Sequence, residues 1–182
     1  MNVDDDANHN IAVLSQGLPY YAHLLGKHAA RAAIECRQLT VTVAHVEHAI
    51  LQAINDVQHS IKSAYVTATA SHQTDNIYAH VLLACALAKT DLTGHFGATD
   101  VRQPLSLIMG KPYNVPGFMK HLKQFSTPIR GRILTSTGLD RKHRYRFENP
   151  LMQPYVAMKG VVDKRIDRAT VERATLLNGR SG

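Results

Sequence analysis

The chain has 182 residues, of which 45% are hydrophobic, and its 21 Lys and Arg outnumber its 14 Asp and Glu to give a net charge of +7. This length and apolar content suffice for one globular domain or two small ones. Two cysteines, Cys36 and Cys85, do not support a disulfide framework, and no apolar run approaches the roughly 20 residues that a membrane-spanning helix requires. We therefore expect a cytoplasmic protein with reduced thiols and no membrane partner.

Charge is distributed unevenly along the chain. Residues 1–75 carry four basic and seven acidic side chains, a net −3, whereas residues 76–182 carry 17 basic and seven acidic ones, a net +10. The stretch 111–146 alone holds nine Lys or Arg and one acid, Asp140, which gives a net +8. This asymmetry predicts a polyanionic partner for the second half of the chain.

The first 70 residues have the apolar spacing of amphipathic helices. Residues 1–10 are polar and acidic, and we expect a frayed start or the end of a helix there. From Pro19 to Cys36 the apolar residues recur at i, i+3, i+4, i+7 and i+8, which predicts a helix with proline at its first position. A second helix is predicted to open at Thr40 or Thr42 and a shorter one to run over about 60–70.

The polar stretch 71–75 interrupts the apolar pattern and is the predicted domain boundary. The helix predicted at 76–89 is apolar nearly all round, which indicates burial on several sides. A further helix is predicted at 100–109, with Pro104 placed best in its first turn.

The stretch 114–150 changes from the periodicity of a helix to that of strands. Apolar residues recur at spacings of four and three in 116–125, which predicts a helix with one buried face. Aromatic and charged residues alternate in 144–148, which predicts a strand, and a basic turn joins it to another strand near Leu134. With a closing helix after Pro150, this order is that of a winged-helix domain with a two-stranded β-wing.

Basic side chains on the predicted helix and wing are suited to neutralising DNA phosphates. In winged-helix proteins a helix commonly enters the major groove while the wing contacts the backbone or minor groove. A solvated basic surface and a docking face for an acidic protein are the alternatives. The candidate DNA contacts are Lys120, Lys123, Arg130, Arg132, Arg141, Lys142 and Arg144.

The side-chain patterns predict neither a catalytic residue nor a metal site. His45, Glu47 and His48 form the nearest group of possible ligands, but neither His-Glu-x-x-His nor its inverse is present. No serine lies in a nucleophile-elbow context, and neither cysteine has a basic environment that would stabilise a thiolate. We therefore expect that this chain is not an enzyme.

Several short segments resemble the C-terminal half of an ATPase of the AAA+ superfamily, near its origin-recognition and STAND (signal-transduction ATPase) branches. Residues 16–26 are similar to the Gly-x-Pro motif of the helical lid that follows the nucleotide-binding core, and residues 42–50 resemble the last lid helix. Residues 78–94 and 145–152 resemble the start and end of the winged-helix domain that follows the lid. The implied fold is mostly α, with a helical lid-like domain over 8–72, a winged-helix domain over 73–162 and a charged C-terminal tail over 163–182.

The resemblance implies that Gly17 and Pro19 contact the adenine of ATP or ADP held mainly by an ATPase core domain, although a helix start without a ligand is the alternative. The chain lacks a phosphate-binding loop, because Gly26 and Lys27 are followed by His28 rather than Ser or Thr. It is therefore expected to be a non-catalytic fragment or ATPase-derived module that binds DNA and couples that contact to a nucleotide state set elsewhere. A protein-docking module among other subunits of an ATPase assembly is the alternative, and a free-standing transcription regulator is a third.

Overall fold

The computed structural model describes residues 1–73, 75–138 and 143–177 and is mostly helical, with a small antiparallel sheet. Among these residues no helix reaches the length and hydropathy that crossing a bilayer requires. The α-helices are α1 (Asp5–Ser15), α2 (Pro19–Glu35), α3 (Val43–Asp56), α4 (His59–Thr69), α5 (Tyr78–Leu87), α6 (Ala98–Met109), α7 (Val115–Phe125), α8 (Met152–Val162) and α9 (Arg168–Leu177). The strands are β1 (Asn2–Val3), β2 (Thr40–Val41), β3 (Phe96–Gly97), β4 (Leu134–Thr137) and β5 (Arg144–Phe147), and a 3-10 helix covers Pro128–Arg130.

The chain divides into two compact units, the first comprising Met1–Gln58 with Ala157–Gly182 and the second comprising His59–Val156. The second unit includes α4, which packs against α5 and the 3-10 helix. These limits differ from the predicted domains over 8–72 and 73–162, because α4 was assigned to the first domain from sequence order and its packing places it in the second unit.

In the first unit, α2 and α3 pack together and α1 packs against both. Pro19 begins α2 as predicted, and Thr42 is the N-cap of α3, where its backbone N–H donates to His45 Nδ1 at 3.0 Å. The short strands β1 and β2 pair in parallel, with Val3 opposite Val41.

Both ends of the first unit contain more regular structure than the sequence predicted. The acidic start was expected to be frayed or to be the end of a helix, but it begins one, because Asp4 accepts a hydrogen bond from the backbone N–H of Ala7 at 2.6 Å and caps α1. The predicted charged tail over 163–182 contains α9, which packs against α1 and carries Glu172 at 3.0 Å from His9. Helix α9 was not predicted from periodicity because its contacts with α1 join distant parts of the chain.

In the second unit, the elements after α4 run in the order α5, β3, α6, α7, β4 and β5. The sheet has the order β3-β5-β4, with both neighbouring pairs antiparallel. The two strands predicted after Pro128 therefore pair as β4 and β5, and β3 adds a third strand that the sequence analysis did not predict. A two-residue strand shows no alternation of its own, so β3 is recognisable only from its pairing with β5, where Phe96 lies opposite Tyr145.

The core of the second unit follows the predicted apolar pattern closely. Phe118, Leu122 and Phe125 on α7 are fully buried, which confirms the predicted apolar face of this helix. The alternation in β5 is also confirmed, since Tyr145 and Phe147 are buried and alternate with exposed Arg144 and Arg146.

One local prediction in this unit was wrong. Pro104 was expected in the first turn of its helix, but α6 begins at Ala98, which places the proline inside the helix. The earlier start is stabilised by Asp100, whose carboxylate accepts a hydrogen bond from the backbone N–H of Gly97 at 2.7 Å.

Candidate nucleic-acid interface

Helix α7 presents two lysines on the side away from its buried face. Phe118, Leu122 and Phe125 hold the helix in the core, and Lys120 and Lys123 are exposed. The two lysines are three residues apart and therefore lie on neighbouring parts of the helix surface. Within the described part of the chain neither lysine forms an ion pair, so both charges are available to a ligand.

A cavity of about 700 Å³ connects this helix to the end of the β4–β5 pair. Lys123 lies on one side of the cavity, and His143 and Arg144 lie on another. The hydroxyl of buried Tyr145 lies 3.8 Å from the sulfur of Met119, and burial raises the pKa of Tyr145, which keeps this phenol neutral. The remaining lining residues are Gly97, Ala98, Thr99, Asp100 and Val115.

Arg144, a candidate DNA contact, is engaged inside the second unit. Its Nη2 lies 3.0 Å from Asp91 Oδ2 and donates to the backbone carbonyl of His95, also at 3.0 Å. Asp91 accepts hydrogen bonds from the Thr93 hydroxyl and from the backbone N–H groups of His95 and Thr93, and these bonds together with Arg144 hold its pKa at about 2. Asp91 therefore stays ionised at neutral pH and partly neutralises Arg144.

Arg130, another candidate DNA contact, also has internal partners. Its guanidinium carbon lies 3.7 Å from the centre of the Tyr78 ring, and its Nη1 donates to the carbonyls of Ala68 and Ala70 at the end of α4. Tyr78 in turn donates to Gln124 Oε1 at 2.6 Å, and its ring centre lies 4.8 Å from that of His121. Arg130 thus connects α4, α5 and α7 instead of extending into solvent.

The remaining candidate contacts differ in their surroundings. Arg132 is exposed and adopts a positive φ of 47° two residues after the end of the 3-10 helix. Arg141 and Lys142 lie outside the described residues, so their predicted roles stay predictions. His121 is half-buried, and burial, reinforced by nearby Lys120 and Arg130, lowers its pKa, so that its imidazole is neutral at pH 7.

Of the predicted adenine contacts, Gly17 lies in the turn between α1 and α2 and Pro19 lies at the start of α2. Gly17 is exposed and has a φ of 76°, a left-handed conformation that suits glycine. Leu18 is the N-cap of α2 and Pro19 is its first residue. This geometry accounts for both residues as parts of a helix turn, and the adenine contact stays a prediction.

The first unit contains a polar cluster that sequence reasoning missed. His28 Nε2 lies 2.9 Å from Asp56 Oδ2, and Lys27 donates to the same oxygen at 3.1 Å. Hydrogen bonds from Lys27 and then His28 lower the pKa of Asp56. These residues also line a cavity of about 290 Å³ between α2 and α3. Among the residues that the structure covers, no group of three or more His, Cys, Asp or Glu is arranged to hold a metal ion.

Asp91 is the other residue near the candidate interface that sequence reasoning missed. A local pattern could have pointed to it, because Asp91, Thr93 and Gly94 have the spacing of a turn closed by an aspartate side chain. The pattern does not reveal Arg144 as the partner of that turn.

Comparisons with protein-family models, curated proteins and solved structures give no match for this chain.

Proposed function

We propose that the second unit is a winged-helix domain that binds duplex DNA, with α7 as the helix that enters the groove and the β4–β5 pair as the wing. The order helix, strand, helix, helix, strand, strand and the sheet order β3-β5-β4 support this assignment. The +8 charge of residues 111–146 supports a polyanionic ligand.

The observation that carries the proposal is the position of Lys123. This exposed lysine belongs to a helix fixed by three buried side chains, and it shares a cavity with Arg144 at the start of β5. A rigid helix and a strand end that border the same cavity can follow one DNA backbone together. Lys120 and Lys123 are the primary phosphate contacts in this proposal, and Arg132, Arg141 and Lys142 are further ones.

Arg130 and Arg144 take different roles in the same proposal. Each of them donates to protein carbonyls and contacts a second protein group, a ring for Arg130 and a carboxylate for Arg144. A guanidinium with a nitrogen that already donates to a protein carbonyl gains less from a phosphate than an unpaired lysine does. We therefore expect both arginines to stabilise the elements that carry the interface, with Arg144 at the cavity that Lys123 also lines.

The proposal extends to the parent protein only through the resemblance to AAA+ ATPases. In that case Gly17 and Pro19 contact adenine when a nucleotide-binding core is present, and this chain transmits the nucleotide state to DNA without hydrolysing ATP itself. Nucleotide alone is then expected to bind this chain weakly, because the core domain supplies most of the contacts.

A docking module in an ATPase assembly is the second candidate function. The observation in its favour is that Leu92, Leu107 and Ile129 of the second unit are large, apolar and well exposed. A partner that covers them would bind with little dependence on salt, unlike DNA.

The proposed function is tested by titrating the full chain into a labelled duplex and following fluorescence anisotropy at several salt concentrations. Phosphate contacts make the logarithm of the association constant fall linearly with the logarithm of the salt concentration, with a slope of about −0.9 for each phosphate neutralised. Replacing Lys120 and Lys123 by Gln is expected to make the slope shallower by about 1.8, from two lost contacts.

The matched control replaces Lys89 and Lys164 by Gln, which removes the same charge from exposed lysines that do not line the cavity. This control is expected to keep the wild-type slope. Equal effects of the two double variants would show that only net charge matters, and absence of duplex binding in low salt would refute the proposed function.

A further inference from the structure

The loop that joins α5 to β3 contains a closed turn built on Asp91. Oδ1 of Asp91 accepts hydrogen bonds from the backbone N–H of Thr93 at 2.9 Å, from its hydroxyl at 2.7 Å and from the backbone N–H of His95 at 3.0 Å. The Asp91 backbone closes the same turn, because its N–H donates to the His95 carbonyl at 2.9 Å and its carbonyl accepts from Gly94 at 3.0 Å. The carboxylate is thus fixed before any other element contacts it.

The second carboxylate oxygen of Asp91 extends the turn to the sheet. Oδ2 lies 3.0 Å from Nη2 of Arg144, and that nitrogen also donates to the carbonyl of His95 at 3.0 Å. Arg146 lies against the same turn, since its Cδ would be 3.8 Å from a Cβ added to Gly94. Two arginines of β5 with one residue between them therefore cover the loop.

Arg144 occupies the end of the sheet ladder. It is the first residue of β5 and lies opposite both Gly97 of β3 and Thr137 of β4. A contact that fixes Arg144 therefore fixes the start of β5, where Arg144 lines the same cavity as Lys123.

An exposed ion pair usually contributes little, because holding two long side chains in one geometry costs conformational entropy. Here much of that cost is absent, since three hydrogen bonds from Thr93 and His95 already hold Asp91. Arg144 also makes its second contact to a backbone carbonyl of the same turn. The pair is thus better preorganised than two free surface side chains.

We infer that Asp91 is a positioning residue for DNA binding, which holds Arg144 and the start of the wing in place so that the wing and α7 contact one duplex together. This inference rests on the proposed function. In this inference Arg144 is the first residue of β5 that Asp91 holds in place, and its guanidinium forms an ion pair with Asp91.

The test asks whether Asp91→Asn strengthens or weakens DNA binding. Asp91→Asn keeps the size and the Oδ1 acceptor but removes one negative charge and the ion pair with Arg144. If only charge mattered, the variant would bind DNA more tightly, because it gains net positive charge and releases Arg144. Positioning predicts the reverse, a loss of duplex affinity of about twofold or more, as expected for removing one member of a coupled network.

A matched control separates charge from position. Glu148→Gln removes an exposed acid just after β5, changes the net charge equally and leaves the Asp91 turn intact. It is expected to strengthen duplex binding slightly. Arg144→Gln should weaken binding as Asp91→Asn does, and the double variant should bind no more weakly than either single variant, because both changes break the same contact.

Amide hydrogen exchange supplies a measurement that does not require DNA. In Asp91→Asn the amides of Phe96 and Tyr145, which lie opposite each other in the β3–β5 pair, should exchange faster, while that of Leu122 in α7 should be unchanged. If Asp91→Asn bound DNA at least as tightly as wild type, the role of Asp91 would be overturned while the proposed function would stand. Unchanged exchange of the β3–β5 amides in this variant would have the same consequence. Failure of the wild type to bind any duplex would instead overturn the proposed function and, with it, this role of Asp91.

Discussion

Arg130 offers the sharpest test of whether a basic residue in this chain serves folding or DNA binding. Its guanidinium stacks 3.7 Å above the Tyr78 ring and donates to the carbonyls of Ala68 and Ala70. A cation–π contact contributes about 0.5–2 kcal/mol, depending on how far it is desolvated. Hydrogen bonds that involve a charged group contribute about 1.5–3 kcal/mol.

Partial exposure of Arg130 reduces these values, so we expect Arg130→Ala to lower the free energy of unfolding by about 2–3 kcal/mol. For a chain of this size each kcal/mol lowers the melting temperature by about 2–4 °C, which gives a decrease of about 4–12 °C. Arg130→Lys keeps the charge but loses the planar stack and the forked donors, so it should also be destabilised, by less.

The assay is thermal unfolding followed by far-ultraviolet circular dichroism, combined with duplex titration well below the melting temperature. Lys123→Gln is the control, because this exposed lysine has no ion-pair partner among the described residues and should affect only DNA binding. An Arg130→Ala protein with an unchanged melting temperature and a salt slope shallower by about 0.9 would refute the reasoning and identify Arg130 as a phosphate contact.

Three further predictions concern the core, the Asp91 turn and the thiols. Phe118→Ala should lower the unfolding free energy by about 3–5 kcal/mol in urea denaturation, because the ring is fully buried, and a cost below 1 kcal/mol would contradict the buried position of α7. The pKa of Asp91 in the folded protein is lowered to about 2. Its ionised form therefore stabilises the fold fully above the unfolded pKa of about 4, and this stabilisation is lost as the pH falls toward 2. An NMR titration of the Asp91 carboxyl carbon with a midpoint near 4 would disprove this. Cys36 is exposed, whereas Cys85 is buried and burial raises its pKa. A thiol reagent should therefore modify Cys36 alone in the folded protein and both cysteines in denaturant. Fast modification of Cys85 in the folded protein would show that α5 is not buried.

The helices with the clearest periodicity were predictable because their signal is local. The 3.6-residue repeat in α2 and α7 places apolar residues on one face whatever those faces contact. Proline at residue 19 and threonine at residue 42 mark helix starts through their own backbone and hydroxyl chemistry. The short elements β1, β3 and α9 had no comparable local pattern, and they were missed.

The candidate interface was predictable only in part for the same reason. Lys120 and Lys123 could be assigned to the exposed side of α7 from spacing alone. The partners of Arg130 and Arg144 lie 60 and 49 residues away in the sequence, at Ala70 and His95, and no window of neighbouring residues contains both members of either pair. Of the seven candidate cations, the five that lie in the described residues therefore differ in their contacts within the fold.

The sequence by itself determined where most helices lie, which face of α7 is buried and that the basic charge is concentrated in the second half of the chain, because these properties depend on residue type and spacing. Tertiary structure decided that α4 belongs to the second unit, that the sheet has a third strand and that Arg130 and Arg144 are held by protein groups. The physical reason is that packing and hydrogen-bond partners are chosen in space. A guanidinium that contacts a ring or a carboxylate within 4 Å is held there, whereas the lysines of α7 have no such neighbour among the described residues and remain available to a ligand.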